Sequence, residues 1–524
     1  MPSRLSDHVE AAEPAGSLNR RQRDRDLACL ANGTILDVLV IGGGVTGAGV
    51  ALDAASRGLS VALVEAHDLA FGTSRWSSKL VHGGVRYLAA GDVALARQCS
   101  RERDILLRTT APHLVRPLPM VLPLTVGFPT SAALVADAGL HIADLIRLGA
   151  GTPRSVLPGP RWLSAVETQA LVPALRPVHL RGGLLSWDGQ LVDDARLVVA
   201  IARTAARHGA RIITRCRAVA VDGDGATAID TLTGSAVTVR SRAVVNATGV
   251  WAGELCGDVH VRPSRGSHLV VADSAFGGLR TAITVPVSHE HNRYVFALPQ
   301  PGGRVYVGLT DEPVDAVTDT PAATPAETEF LREVISGVLA VPVDQADILG
   351  TFAGLRPLPA GASGASGRTA DLSRRHAVIT SADGVVTIVG GKLTTYRRMA
   401  ADTVDELARA RGLRPGPCRT QHLPLVGAAG WSTLAEVAAP RRLVARYGTE
   451  APTVVAQARG DPRLLAPLCG RVDTTGAEIL FALRHEGALD AGDLLDRRTR
   501  IGLVPADRAA ALPHVQALLA APDG

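Results

Sequence analysis

The 524 residues include only six cysteines, Cys29, Cys99, Cys216, Cys256, Cys418 and Cys469. No two form a CxxC pair and none has the histidine spacing of a zinc site, so they read as reduced, cytosolic thiols. A membrane-spanning run is also lacking. The longest uncharged stretch, Pro117 to Ala136, carries Pro117, Pro119, Pro123 and Pro129, and lipid cannot replace the helical hydrogen bonds that prolines leave unmade. That leaves buried extended chain or contact with a membrane surface. The opening residues are not read as a secretory signal, because the first apolar run is short and follows Arg20, Arg21, Arg23 and Arg25. Concentrated positive charge is missing too: 55 Lys+Arg stand against 50 Asp+Glu, a net +5. This excludes a nucleic-acid binder and fits an anionic substrate or an acidic membrane surface. Hydrophobic residues make up 46%, which excludes global disorder, and the length calls for two or three packed units.

The most pronounced shortage is of lysine. Only Lys79 and Lys392 occur; every other basic residue of the 55 is arginine. A chain that draws its positive charge almost wholly from arginine keeps lysine where a compact ammonium is needed and a planar fork does not fit, or on a solvated face by chance.

Residues 1–34 read as a polar leader packed on the surface, with a short helical pattern through Leu18 to Leu30. The continuous apolar segment Val38-Leu39-Val40-Ile41 predicts a strand covered on both faces. It runs into Gly42-Gly43-Gly44-Val45-Thr46-Gly47, a helical rhythm from Ala48 to Ser56, a stop at Gly58 and a second strand from Ser60 to Glu65. This is a βαβ unit with GxGxxG at the turn. Gly42 and Gly44 permit the close approach of a pyrophosphate, Gly47 permits helix–strand packing, and Glu65 is placed to accept ribose hydroxyls, which favours NAD or FAD. A helix is expected from Val192 to His208 and a strand meander from Arg211 to Val245. The meander ends in Asn246-Ala247-Thr248-Gly249, either a second backbone approach to the dinucleotide or an ordinary strand turn. Alternating segments at His268–Val271, Tyr294–Leu298 and Val305–Leu309 predict an antiparallel sheet forming a substrate floor. Gly361 to Gly367 reads as a flexible loop. A last buried strand, Val385 to Val389, meets Gly390-Gly391-Lys392-Leu393-Thr394-Thr395-Tyr396-Arg397, a second helix N-terminus aimed at the cofactor region. Beyond about residue 405 the signals are helical, with a capping box at Thr475 and Glu478. That part reads as an appendage that packs on, docks with or oligomerises the enzyme.

The run Gly72-Thr73-Ser74-Arg75-Trp76-Ser77-Ser78-Lys79-Leu80-Val81-His82-Gly83-Gly84-Val85-Arg86-Tyr87-Leu88, with Arg265-Gly266-Ser267-His268, Gly354-Leu355-Arg356-Pro357-Leu358 and the Gly391 to Arg397 turn, resembles the FAD-dependent glycerol-3-phosphate dehydrogenases, members of the D-amino-acid-oxidase-like flavoproteins. The resemblance is strong from Asp37 to Ala400, and Glu478 to Gly502, including Arg497-Arg498-Thr499-Arg500, resembles the family's helical C-terminal domain. The fold class it implies is α/β (α+β overall): a Rossmann-like FAD-binding domain, an antiparallel-sheet substrate domain and a helical C-terminal domain. The corresponding boundaries are a leader at 1–34, an oxidoreductase unit at 35–405 and a helical unit at 406–524. Within 35–405, the FAD-binding parts are 35–112, 190–262 and 350–405, and the substrate parts are 113–189 and 263–349.

Carried over by position, the resemblance sets Gly42, Gly44, Gly47 and Glu65 on the adenosine diphosphate half of FAD. Thr73, Ser74, Ser78 and Lys79 fall along the pyrophosphate and ribityl chain, Val219 and Gly249 elsewhere against the cofactor, and Lys392, Leu393 and Thr394 near the flavin. Arg86, Tyr87, His268, Arg356, Arg374 and Lys392 match the substrate pocket. Arg75-Trp76 stands where the family has Ser-Arg or Ser-Lys, and Arg375 where it commonly has Asp. Arg356 and Arg374 suit a phosphate dianion. His268 is either the base that takes the alcohol proton or a structural histidine, while Lys392 and Arg86 stabilise developing negative charge. The implied partners are glycerol 3-phosphate, a quinone or other acceptor and a peripheral membrane contact, with no nucleic acid and no metal. A homodimer stays open, and the implied location is the cytoplasm, at the inner face of the cell membrane. An oxygen-using oxidase, an amino-acid-oxidase-like enzyme and a non-catalytic flavin-binding scaffold remain as alternatives.

Overall fold

A computed structural model describes residues 14–89, 91–287, 290, 293–360, 375–470 and 472–521. Arg374 and the Gly361–Gly367 loop lie outside the described residues. The β-branched segments of the βαβ unit form the centre of a six-stranded sheet in the order His376–Thr380, Val386–Gly390, Val244–Asn246, Val38–Ile41, Val61–Val64, Arg211–Ile213. All neighbours run parallel except the first pair. Helices Val45–Ser56, Asp194–Arg207 and Tyr396–Arg411 cover one face, and Val38, Val40, Val50, Val198, Ile201, Met399 and Val404 meet in that core. The other face is closed by the four-stranded meander and by the Arg20–Ala31 helix. That helix packs on the surface, anchored by two buried residues among exposed and half-buried ones. Leu30 is fully buried, and the Arg23 guanidinium, also buried, pairs with Asp230.

The second sheet has ten strands and is mostly antiparallel. Pro117 and its neighbours form one of them, Val115–Thr125, paired with Leu180–Leu191 along its whole length. Pro117, Pro119 and Pro123 share one parity of the alternation, so the N–H groups they lack would all have faced the same side of the strand, and the ladder on the other side keeps its donors. The expected extended chain is therefore present, but it stops at Thr125. Pro129 instead precedes a helix, Thr130–Gly149. No helix among the described residues is long and apolar enough to cross a membrane.

Residues beyond 411 build helices with cores of their own, around Ile479, Leu494 and Val515 and around Leu443, Tyr447 and Phe481. The capping box at Thr475 and Glu478 forms. This part packs on the rest through buried arginine–carboxylate pairs. Arg196 grips Glu486 at 2.8 and 2.6 Å, Arg203 grips Glu450 at 2.6 and 2.8 Å, and Arg498 grips Asp68 at 2.8 Å with both terminal nitrogens. Removing one partner of a buried pair strands the other charge, at about 3–5 kcal/mol. Glu486→Ala is accordingly expected to unfold at markedly lower urea concentration than the parent; an unchanged midpoint would contradict the role given to these pairs.

Candidate active site

The strand Val38–Ile41 and the helix Val45–Ser56 are joined by a turn in which Gly42 takes φ +110°. A Cβ at Gly47 would lie 1.9 Å from the Gly42 carbonyl oxygen, so the helix closes on the strand only with glycine there. The helix N-cap, Gly44, offers no side-chain acceptor. Gly44, Val45 and Thr46 line a cavity there, and the Val45 N–H donates to Ser74 Oγ at 2.9 Å. At the end of the Val61–Val64 strand the Glu65 carboxylate accepts the Gly43 N–H at 2.6 Å and the His67 N–H at 2.8 Å. Burial raises its affinity for a proton, against the pull of those two donors.

The cavity holds about 2560 Å³. Glu65, Cys216, Ala218 and Val219 line one end; Gly42, Gly44, Thr73, Ser74, Thr248 and Gly249 its middle; and Ser78, Tyr87, His268, Arg356, Lys392, Leu393 and Thr394 its far end. Its volume and lining fit a dinucleotide: a carboxylate where a ribose would lie, an uncapped helix N-terminus for a diphosphate, and room beyond for a fused ring system.

At the far end, His268 and Arg356 come from paired antiparallel strands, Val261–Ala272 and Ile348–Pro359. His268 is 1% exposed and stacks on Phe352, directly across the pair, with centroids 4.6 Å apart. One ring nitrogen, Nε2, lies 2.8 Å from Ser78 Oγ; Nδ1 is buried without a hydrogen-bond partner among the described residues. Burial, reinforced by the Lys79 and Arg356 charges, pushes the His268 pKa down to about 3, so the ring is neutral. Arg356 donates to Ser264 Oγ at 3.3 Å, the Thr310 carbonyl at 3.1 Å and Asp311 at 3.2 Å, which fixes its guanidinium at the cavity wall. Lys392 holds its ammonium 3.3 Å from the centre of the Tyr87 ring and 3.6 Å from Cys99 Sγ.

Comparison with known proteins matches this architecture. Residues 37–397 match the FAD dependent oxidoreductase family, and residues 418–522 match the C-terminal domain of alpha-glycerophosphate oxidase. The chain belongs to the FAD-dependent glycerol-3-phosphate dehydrogenases. It is 49% identical to glycerol-3-phosphate dehydrogenase 1 of Mycobacterium tuberculosis over 499 residues, 94% of this chain and 96% of that one. A mitochondrial glycerol-3-phosphate dehydrogenase of Arabidopsis thaliana is 36% identical, across 93% of this chain and 82% of that protein. Among solved structures, the glycerol-3-phosphate dehydrogenase of Bacillus halodurans complexed with FAD superposes with a TM-score of 0.73 at 27% identity, covering 96% of this chain and 94% of its own. The protein is thus an FAD-dependent oxidoreductase of mixed α/β fold.

Against the family's pattern, Lys79 needs correcting. It does not line the cavity: its ammonium turns into the protein, 2% exposed, 2.8 Å from Asp194 Oδ2 and hydrogen-bonded to the carbonyls of Arg75 and Ser77. A buried carboxylate outcompetes the open cavity for the charge. Gly47 also stays off the cavity wall and acts through packing. Arg375, exposed, pairs with Asp92 at 2.8 Å. Arg75 is buried over the Phe71 and Trp76 rings, and Trp76 itself lines the cavity. Arg374 lies outside the described residues, and so does the side chain of Arg86, which sits on the Val85–Ala89 helix. His82, half-buried on the cavity wall, was not singled out from the sequence; its place in the Lys79–Tyr87 run is the signal that pointed to it.

Proposed function

We propose that the protein oxidises the secondary alcohol of sn-glycerol 3-phosphate to dihydroxyacetone phosphate, with hydride passing to N5 of the flavin and the electrons leaving for a quinone-type acceptor. The observation that carries this reading is the single cavity: a dinucleotide cradle at one end runs without interruption into a cationic, histidine-bearing chamber at the other. FAD, when bound, supplies the two-electron acceptor. Arg356, with Arg374, offers planar donors to the phosphate. His268, neutral as the structure holds it, takes the hydroxyl proton, and the arriving dianion opposes the charges that lower its basicity. Lys392 and Arg86 stabilise the negative charge that develops.

The acceptor reading draws on the Thr130–Gly149 helix. Leu134, Val135, Ile142 and Leu145 on it are exposed, while Ala132, Ala136, Gly139 and Ala143 line the mouth of the same cavity. An apolar helix at that place suits a peripheral encounter with a membrane surface, from the cytoplasmic side, where a lipid-soluble quinone reaches the flavin. The test is steady-state turnover of glycerol 3-phosphate with a soluble quinone analogue. Turnover is expected to need the analogue, to form little peroxide in air and to be inhibited competitively by inorganic phosphate. Full aerobic turnover to peroxide would make the protein an oxidase, and indifference to phosphate would point to an amine substrate.

A further inference from the structure

Behind His268 lies a buried ion pair, Lys79 with Asp194, neither of which lines the cavity. Asp194, fully buried at the start of the Asp194–Arg207 helix, accepts from Lys79 Nζ at 2.8 Å, from Ser77 N–H at 2.9 Å and from Ser77 Oγ at 2.8 Å. It thereby pins the turn that presents Ser78 to the imidazole. Lys79 adopts φ +58°, a left-handed conformation that a residue with a side chain keeps only when its surroundings impose it. Its ammonium lies 5.1 Å from the centre of the Phe352 ring, which also stacks on His268. From the helical C-terminal part, Arg500, also left-handed at φ +64°, reaches the same cluster. It donates to the Arg75 carbonyl that Lys79 also uses, and its Nε lies 4.0 Å from Asp194 Oδ1.

We propose that the Lys79–Asp194 pair, braced by Arg500, is a positioning device for His268: it fixes the Ser78 contact and sets the charge behind the ring. The inference rests on the proposed role of His268 in oxidising glycerol 3-phosphate. Among the described residues, the charged and titratable groups facing that ring are Arg356 on the neighbouring strand, Lys79 behind Phe352 and Asp194 beyond it, and Ser78 supplies the one hydrogen bond. On the remaining side Gly308 leaves the ring its space, since a Cβ there would lie 2.2 Å from His268 Cδ2. The sign follows from the balance of the two charges. The Lys79 charge lowers the basicity of the ring more than the Asp194 charge raises it, so neutralising both raises the basicity of His268, and the acid limb of the rate profile moves to higher pH.

The test uses the flavin-loaded full chain carrying Lys79→Met with Asp194→Asn, and separately Arg500→Gln and Arg500→Lys. Anaerobic flavin reduction by glycerol 3-phosphate is followed across pH, and wild-type reduction checks the underlying function independently. The neutral pair is expected to keep its FAD, to reduce it at least about 10-fold more slowly at saturating substrate with half-saturation within about 3-fold of wild type, and to shift the acid limb up by about half a pH unit or more. Arg500→Gln is expected to slow reduction about 3-fold or more with a shift of the same sign, and Arg500→Lys to restore most of the rate. An unmoved acid limb in reducible wild-type background would overturn the proposal, whatever the rate. Loss of flavin by the neutral pair would overturn it in favour of a cofactor-holding role. If the neutral pair does not fold, Arg500→Gln decides by the same two readouts.

Discussion

Gly47→Ala is expected to leave the purified protein colourless. Its new methyl would sit 1.9 Å from the Gly42 carbonyl oxygen and 3.4 Å from Ala247 Cβ. Overpacking costs about 1–3 kcal/mol where flexible side chains can give way. Here the obstacle is main chain on the turn itself, so relief comes only by lifting the Val45–Ser56 helix from the sheet and turning its opening N–H groups off the diphosphate. The upper end of that range corresponds to about 100-fold in FAD affinity. Flavin absorbance after purification and titration of the apoprotein with FAD give the comparison; retention of bound FAD at wild-type affinity would mean that the turn is not the diphosphate site.

His268→Ala is expected to lower turnover by about 10²–10⁴-fold, the usual contribution of a positioned proton acceptor, with FAD content nearly unchanged. The ring touches Ser78 and Phe352, and neither belongs to the glycine turn that holds the diphosphate end. Equal losses of turnover and FAD would reduce His268 to a structural residue. The deep burial that keeps the imidazole neutral is consistent with either role in the resting protein; the two effects separate only when both are measured.

The cofactor cradle was largely legible in the sequence because its signals are local. A buried strand, a glycine turn, a helix and a terminal acid fall within 30 residues, and each is dictated by backbone geometry that only certain residues allow. The convergence of that turn with Gly390–Thr394 was also legible, since both follow β-branched strands of one parallel sheet. Lys79 was misplaced because the carboxylate that captures it lies 115 positions further on, and no pattern near Lys79 announces it. For the same reason the helical C-terminal part read as an appendage: the contacts of Arg497, Arg498 and Arg500 with Asp68 and Asp194 are ones that only the fold brings together. The Thr130–Gly149 helix was hidden by the four prolines before it, three of which belong to a strand.

The central claim is that one cavity brings bound flavin and glycerol 3-phosphate together for oxidation. Anaerobic mixing of the FAD-loaded protein with glycerol 3-phosphate tests it most directly. Rapid, complete bleaching of the flavin, with dihydroxyacetone phosphate formed in equal amount, is the predicted result; a flavin that stays yellow at saturating glycerol 3-phosphate would contradict it.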